Sequence, residues 1–183
     1  SIFRDVTERK LNDFLLRKKD RLLQGISEAT KALISSSSTE TGFNNALKIL
    51  GEAAEVDRVY IYQHKKNEET DELFLSILHE WNSESCDPQI NNPALKKLSY
   101  SRFGSLNFYE NFSSGNSLKF IIKHLPADVQ NVFIDGNIKS IILVPIMVDE
   151  EYWGFIGFDD CNTDRMWSIN EESLLLTMAS TIG

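Results

Sequence analysis

Between residues 139 and 160 the chain carries two apolar runs joined by an acidic turn, KSIILVPIMVDEEYWGFIGFDD. Ile141, Ile142, Leu143 and Val144 are too continuously apolar for a strand with one wet face, so both faces must be covered by other elements. The stretch predicts a β-hairpin at the centre of a sheet, with residues 148–152 as its polar connection. Gly154 and Gly157 mark places in the return strand where something packs close to the backbone. Strand alternation puts Ile141, Leu143, Pro145, Phe155, Gly157 and Asp159 on one face, and Ile142, Val144, Ile146, Gly154, Ile156 and Phe158 on the other.

Ahead of this hairpin the period changes. Residues 7–34 contain no Pro and one Gly, Gly25, so they predict a single helix of ~28 residues, roughly 42 Å long. Capping preference starts it at Asp5 or Thr7. Its apolar positions Leu11, Leu15, Leu22, Ile26 and Leu33 follow an 11-residue repeat, which holds a stripe on one face of a nearly straight helix rather than winding a left-handed coiled coil. The first part of that stripe is free to pair with a second copy, and the last part is expected to pack on the domain's own sheet. Ser37 with Glu40 reads as a capping box for a second helix, whose stripe is Phe43, Ala46, Leu47, Leu50, Ala53 and Ala54. A strand at 58–64 and its partner at 73–81 then flank an acidic turn at 67–72.

Residues 82–105 are irregular, with Pro88, Pro93 and clusters of Asn and Ser, and loops of this length inside a compact domain are usually functional. A short helix at 107–113, a strand at 117–124 and a helix at 127–135 lead back to the hairpin. Ser168 and Glu171 make a second capping box, opening a closing helix through Leu174, Leu175, Met178 and Ile182. That helix is expected to continue into an output domain.

Composition narrows the function. Nineteen Lys and Arg against 27 Asp and Glu give a formal charge of -8, and an acidic chain argues against nucleic acid as a partner, because phosphate binding needs a basic face. Cys86 and Cys161 are far apart in sequence and lack CxxC spacing, so neither a disulfide framework nor a zinc site is signalled and a reducing cytoplasm fits. No run approaches the ~18 apolar residues of a membrane span. The N-terminus has no apolar signal core, so no direct membrane contact is expected.

Particular residues carry a family resemblance. Ile138-Lys139-Ser140, the β-branched run ending Val144-Pro145-Ile146, the segment Trp153-Gly154-Phe155-Ile156-Gly157-Phe158-Asp159-Asp160 and the pair Arg165 and Trp167 before a closing helix resemble a GAF domain. More narrowly, they resemble the GAF domains of bacterial multidomain signalling proteins of the sensor histidine kinase or diguanylate cyclase type. Arg4-Asp5-Val6-Thr7-Glu8-Arg9-Lys10 resembles the closing motif of a PAS domain. The resemblance implies an α+β fold: a central antiparallel β-sheet with the terminal helices on one face and, on the other, a pocket formed by loops and short helices. It also divides the chain into a PAS tail at 1–10, a linker helix at 11–21 and a GAF domain at 22–183.

Candidate chemistry is of the binding kind. His64, His79 and His124 sit in unrelated segments, no GxSxG or HExxH occurs, and no glycine-rich phosphate loop follows a strand, so the chain is not expected to be an enzyme. Asp159 and Asp160 with Asp164 read as carboxylates spent on local backbone hydrogen bonds rather than as a metal cluster. Bilin-binding relatives in the family carry a Cys-His pair before the central hairpin, and no cysteine lies between Asp87 and Asp160, so no cofactor is expected and covalent bilin is set aside. Haem is set aside too unless His79 or His124 faces a cavity, and the spaced signature of the cyclic-nucleotide members does not align. By resemblance to ligand-bound members, the face carrying Tyr60, Tyr62, Leu143, Pro145, Gly157 and Asp159 looks toward the pocket, and Trp81 is counted with it. Two tyrosines and a carboxylate over an apolar floor suit a small aromatic or heterocyclic ligand. The expected function is a cytoplasmic sensor that binds a small molecule and relays the signal through its terminal helices. The alternative is a structural dimerisation module without a ligand. In either case a homodimer is expected to form through Leu11, Leu15, Leu22 and Ile26.

Overall fold

The structure is a computed structural model that describes residues 2–134 and 136–182. Helix α1 spans Ile2–Ser35 and α2 spans Thr39–Ala54, and they lead into β1 (Arg58–Lys66) and β2 (Leu73–Asn82). A single turn α3 (Pro93–Lys96), the short strand β3 (Leu98–Ser99), a 3-10 segment at Tyr100–Leu106 and α4 (Phe108–Ser113) follow. Strand β4 (Leu118–Ile121), α5 (Ala127–Ile134), β5 (Ser140–Val148), β6 (Glu151–Asp160) and α6 (Ile169–Ile182) complete the chain. The strands form one six-stranded sheet in the order β3-β2-β1-β6-β5-β4, antiparallel at every pairing. This is the α+β architecture that the family resemblance implies, around the central sheet expected from the hydrophobic pattern.

The hairpin predicted at the centre is β5–β6, and it turns on Asp149 and Glu150, both in the left-handed region at φ 50° and 67°. Two such residues in succession make a tight turn whose twist matches the strands on either side. The alternation read from sequence holds. Ile142, Val144, Ile146, Ile156 and Phe158 join Val59, Ile61, Leu175 and Met178 in one buried cluster beneath α1, α2 and α6. Ile141, Leu143 and Phe155 join Tyr60, Tyr62, Phe103, Phe108 and Phe112 in a second cluster on the opposite face. The sheet separates two cores, a helical one and an aromatic one.

Local starts and stops differ in places from expectation. Helix α1 is already formed at Ile2, ahead of both Asp5 and Thr7, and the backbone of residues 2–10 is helical throughout. Helix α2 is capped by Ser38, whose side chain accepts from the Thr41 amide, rather than by a box of Ser37 and Glu40. The difference is one residue of register, because a serine one place on reaches N3 equally well. The box at α6 is as read: Glu171 donates its amide to Ser168 Oγ at 3.2 Å, and its carboxylate accepts from the Ser168 amide at 2.9 Å.

Glu171 does more than cap. Arg165 reaches it at 2.5 Å while also donating to the Ala54 carbonyl at the end of α2, and Lys18 of α1 lies 3.4 Å away. Although burial opposes the charge, the bonds from Ser168 and Arg165 hold the Glu171 carboxyl down at about 2. A carboxyl depressed on folding contributes stability above its unfolded value, and that contribution is lost as pH falls through the folded one. Glu171→Ala is therefore expected to cost about 1–2 kcal/mol at neutral pH. It should also flatten the stability profile between pH 4.5 and about 2, read by urea unfolding at a series of pH values. A wild-type profile already flat in that window would contradict the assignment.

The N-terminal half of α1 stands clear of the domain. Leu11, Phe14, Leu15 and Leu16 are each more than half exposed, whereas Leu22 is 3% exposed and packs in the helical core with Ile26 against it. The expected dimer stripe therefore splits: Leu22 and Ile26 are spent on the domain's own core, and Leu11 and Leu15 remain outward. Among the described residues, no helix is long and apolar enough to cross a membrane.

Candidate functional site

The strands β1, β2, β5 and β6 present the floor of a cavity of about 100 Å³ on the aromatic face, roofed by the 89–108 segment and α5. Tyr60, Tyr62, Leu143 and Asp159, all read from sequence as pocket residues, line it. Gly157 lies beneath them, and a Cβ there would sit 2.4 Å from the Tyr60 ring, so the glycine is what lets that ring lie flat on β6. Pro145 is on the same face and pairs with Phe155, but it does not reach the cavity.

Trp81 is placed otherwise than expected. It pairs with Val59 and packs over Gly51 of α2, where an added Cβ would stand 2.0 Å from its ring, so it belongs to the helical face. A register shift between Ile61 and Tyr62 is the reason. The bulge changes which parity of β2 faces inward, so Glu80 and Ile77, which pair with Tyr60 and Tyr62, line the cavity instead. His79 stacks on Phe43 at 4.4 Å on the helical face, and His124 is exposed, so neither reaches the cavity.

Two cavity-lining residues escaped the sequence reading. Arg58 and Glu80 are 4% and 1% exposed at the side chain, and both line the cavity with Asp159, which is fully buried. Arg58 Nη1 donates to Asp159 Oδ2 at 3.2 Å, and Nη2 donates to the carbonyls of Asp87 and Gly136 at 3.2 and 3.3 Å. Its Nε lies 3.2 Å from Glu80 Oε1, too oblique for a hydrogen bond, so that contact is an ion pair only. Glu80 accepts from the amides of Gln89, at 2.9 Å, and Ile90. Tyr60 donates its hydroxyl to Asp159 Oδ1 at 3.0 Å. One buried guanidinium thus ties the 87–90 loop, the 136 turn and β6 to the start of β1. The signal was available: Arg58 has the same strand parity as Tyr60.

The electrostatics follow from burial. Removal from water pushes the Asp159 carboxyl up to about 7, although Arg58 and the Tyr60 hydroxyl pull it down. Burial likewise raises both Tyr60 and Tyr62. Elsewhere the acids are spent locally: Asp160 accepts from the amides of Asn162 and Thr163, and Asp164 pairs with Lys123. Beside the cavity, His64 Nδ1 and the Tyr100 hydroxyl are 3.0 Å apart, and Tyr100 donates to Tyr152 at 3.2 Å. The site is a partly open aromatic chamber with a polar wall of Arg58, Glu80 and Asp159.

Comparison with known proteins agrees with the architecture. Residues 38–183 match the GAF domain family. Over all 183 residues the chain is 39% identical to the methanogenesis regulatory histidine kinase FilI of Methanothrix harundinacea, and it spans 20% of that protein's length. Among solved structures, a far-red-absorbing dark state with bound biliverdin IXα superposes with a TM-score of 0.70 at 15% identity, covering 86% of this chain and 94% of that one. The phycocyanobilin-bound GAF domain of a cyanobacterial phytochrome superposes with a TM-score of 0.65 at 14% identity, covering 87% and 90%. These neighbours correct the expectation of no cofactor, in which bilins were set aside. A missing cysteine is an argument about one linkage, whereas the similar folds are bilin complexes.

Proposed function

The chain belongs to the GAF domain family, and on that premise we propose that it is the sensory, non-catalytic module of a regulatory histidine kinase, taking a small ligand into the Tyr60–Asp159 chamber. The observation that carries this reading is the shared sheet. The strands that floor the cavity on one face hold α1, α2 and α6 on the other, so a ligand can bias helix packing only by moving those strands or shifting a population between two arrangements. At about 100 Å³ the cavity is smaller than the ~150 Å³ one that takes a benzene ring, so a single aromatic or heterocyclic ring enters with a small outward movement of the roof.

The parent architecture is part of the same proposal: a PAS domain ending at residues 1–10, a linker at 11–21, the sensor at 22–183 and a kinase output beyond it, working in the cytoplasm. The test is thermal. A panel of single-ring heterocycles and aromatic acids and bases is titrated into the protein, and a concentration-dependent rise in Tm is expected for a binder. No rise with any compound favours the ligand-free dimerisation module. The bilin complexes among the similar folds support a second reading, a bilin held after the 87–106 segment moves outward, since four rings exceed the present volume. Added biliverdin would then develop a sharpened visible band, and an unchanged spectrum would remove it.

Pairing through α1 completes the proposal. Leu11, Phe14, Leu15 and Leu16 put four exposed apolar side chains on the free half of the helix, and a parallel homodimer buries them. Leu11→Glu with Leu15→Glu is expected to yield monomer in sedimentation, with the sheet domain's Tm unchanged. Wild-type protein that is monomeric at high micromolar concentration would sink the dimer.

A further inference from the structure

The chain has two cysteines, far apart in sequence, and the fold brings both to the start of β1. Cys86 Sγ donates to the Asp57 carbonyl at 3.2 Å, and the Cys161 amide donates to the Asp57 carboxylate at 2.8 Å. Cys161 Sγ in turn lies 3.7 Å from the Gly136 carbonyl. That carbonyl and the carbonyl of Asp87, the residue after Cys86, both accept from Arg58 Nη2. A side-chain hydrogen bond from Cys161 reaches Cys86 itself, so the two thiols are in contact.

Access to the pair is unequal. Cys86 is half-buried on the loop after β2, whereas Cys161 is 2% exposed at the end of β6. Thiol–disulfide exchange needs an outer thiol for the first attack and an inner one beside it to complete the bridge, which is this arrangement. Burial raises both thiols, and the Arg58 guanidinium only partly offsets it, while the Asp57 carboxylate opposes it in both cases and Asp159 in that of Cys161. Both groups therefore rest as thiols at neutral pH, and the first attack quickens as pH rises.

We propose that Cys86 and Cys161 are a modification site, oxidised by a small disulfide to an intrachain disulfide that pins the loop after β2 to the end of β6. The Cys86 thiolate attacks one sulfur of the small disulfide, forming a mixed disulfide and releasing one small thiolate. Cys161 then gives up its proton and attacks Cys86 Sγ, releasing the second. The two protein thiols are oxidised, and the small disulfide is reduced to two thiols. The bridge acts on the roof of the chamber, because residues 87–90 follow Cys86 directly and are already held down by Arg58 and Glu80. A covalent tie at the same place keeps the roof closed in the oxidised protein. Its bearing on ligand entry rests on the reading of the chamber as a ligand site, whereas the bridge itself does not.

Oxidised glutathione at about pH 8.5, followed by alkylation and mass spectrometry of the folded whole chain, tests this. Wild-type protein is expected to lose two hydrogens, keep no glutathione, and yield on digestion one peptide pair joined at Cys86 and Cys161. Cys161→Ser should stop with glutathione on Cys86, and Cys86→Ser should take up glutathione at least about tenfold more slowly. The bridged form should melt about 5–10 °C higher, and hydrogen exchange at the Gln89 and Ile90 amides should slow. A glutathione adduct that persists on wild-type Cys86, a bridge that forms only in denaturant, or a bridge that lowers Tm overturns the site. A bridge that leaves exchange at Gln89 and Ile90 unchanged overturns its hold on the roof.

Discussion

Ile156→Asp is expected to leave the chain without a cooperative fold at 25 °C. Ile156 is wholly buried, pairing with Ile61 on β1 and Val144 on β5 in the helical core. The substitution removes the burial of a large aliphatic group and puts an unpaired carboxyl into an apolar layer, which together cost more than about 5 kcal/mol. That is comparable to the whole stability of an ordinary domain, about 5–15 kcal/mol. Far-UV circular dichroism with urea titration reads the result, and a transition close to wild type would mean that this face is wet. The aromatic face tolerates a matched change. Tyr60→Phe keeps the ring over Gly157 and removes only the bond to Asp159, so the domain is expected to fold, with a loss of about 1 kcal/mol.

The face carrying Ile156 was legible from residue order because a period of two has only two solutions, and Ile142, Val144, Ile146 and Phe158 all agree on one. Tyr60, Tyr62, Leu143 and Asp159 followed by the same parity. Trp81 did not, because a single bulge opposite Ile61 and Tyr62 flips the count along β2, and nothing local in that stretch announces it. Arg58 and Glu80 were passed over for a different reason. Isolated charges at strand ends are usually solvated, and only the register that pairs Tyr60 with Glu80 and Arg58 with Asp159 brings them together. The expected stripe on α1 has two fates, with Leu11 and Leu15 exposed and Leu22 buried. Its division at Leu22 depends on how far α2 extends beneath it, which is a tertiary fact.

Arg58→Met is the second large effect. The thioether fills much of the volume of the Arg stem but leaves Asp159 and Glu80 buried without their cation, and breaking a buried pair from one side costs about 3–5 kcal/mol. The loss should depend on pH in a stated direction. In the wild type the Asp159 carboxyl is raised on folding from 3.8 to about 7, so its contribution to stability is fully present below 3.8 and is lost as pH rises through 7. Without Arg58 the carboxyl rises further, so the variant's deficit is largest at alkaline pH and narrows near pH 5, where Asp159 is protonated in both proteins. Urea midpoints of the two proteins at about pH 5 and pH 8.5 measure this. An equal deficit at both values would show that Arg58 acts through its carbonyl contacts at residues 87 and 136 rather than through Asp159.

The strand order has a consequence for how the chain is made. The middle of the sheet is the pairing of β1 with β6, and the contact that fixes it, Arg58 to Asp159, spans 101 residues. During synthesis the β1–β2 hairpin leaves the ribosome with one long edge unpaired, and it stays so until almost the whole domain has been translated. Such non-local closure is slow, and an open apolar edge invites pairing with another chain in the interval. Expression yield should therefore respond more to conditions that protect nascent chains, such as lower temperature or added chaperone, than to changes in the finished protein's stability.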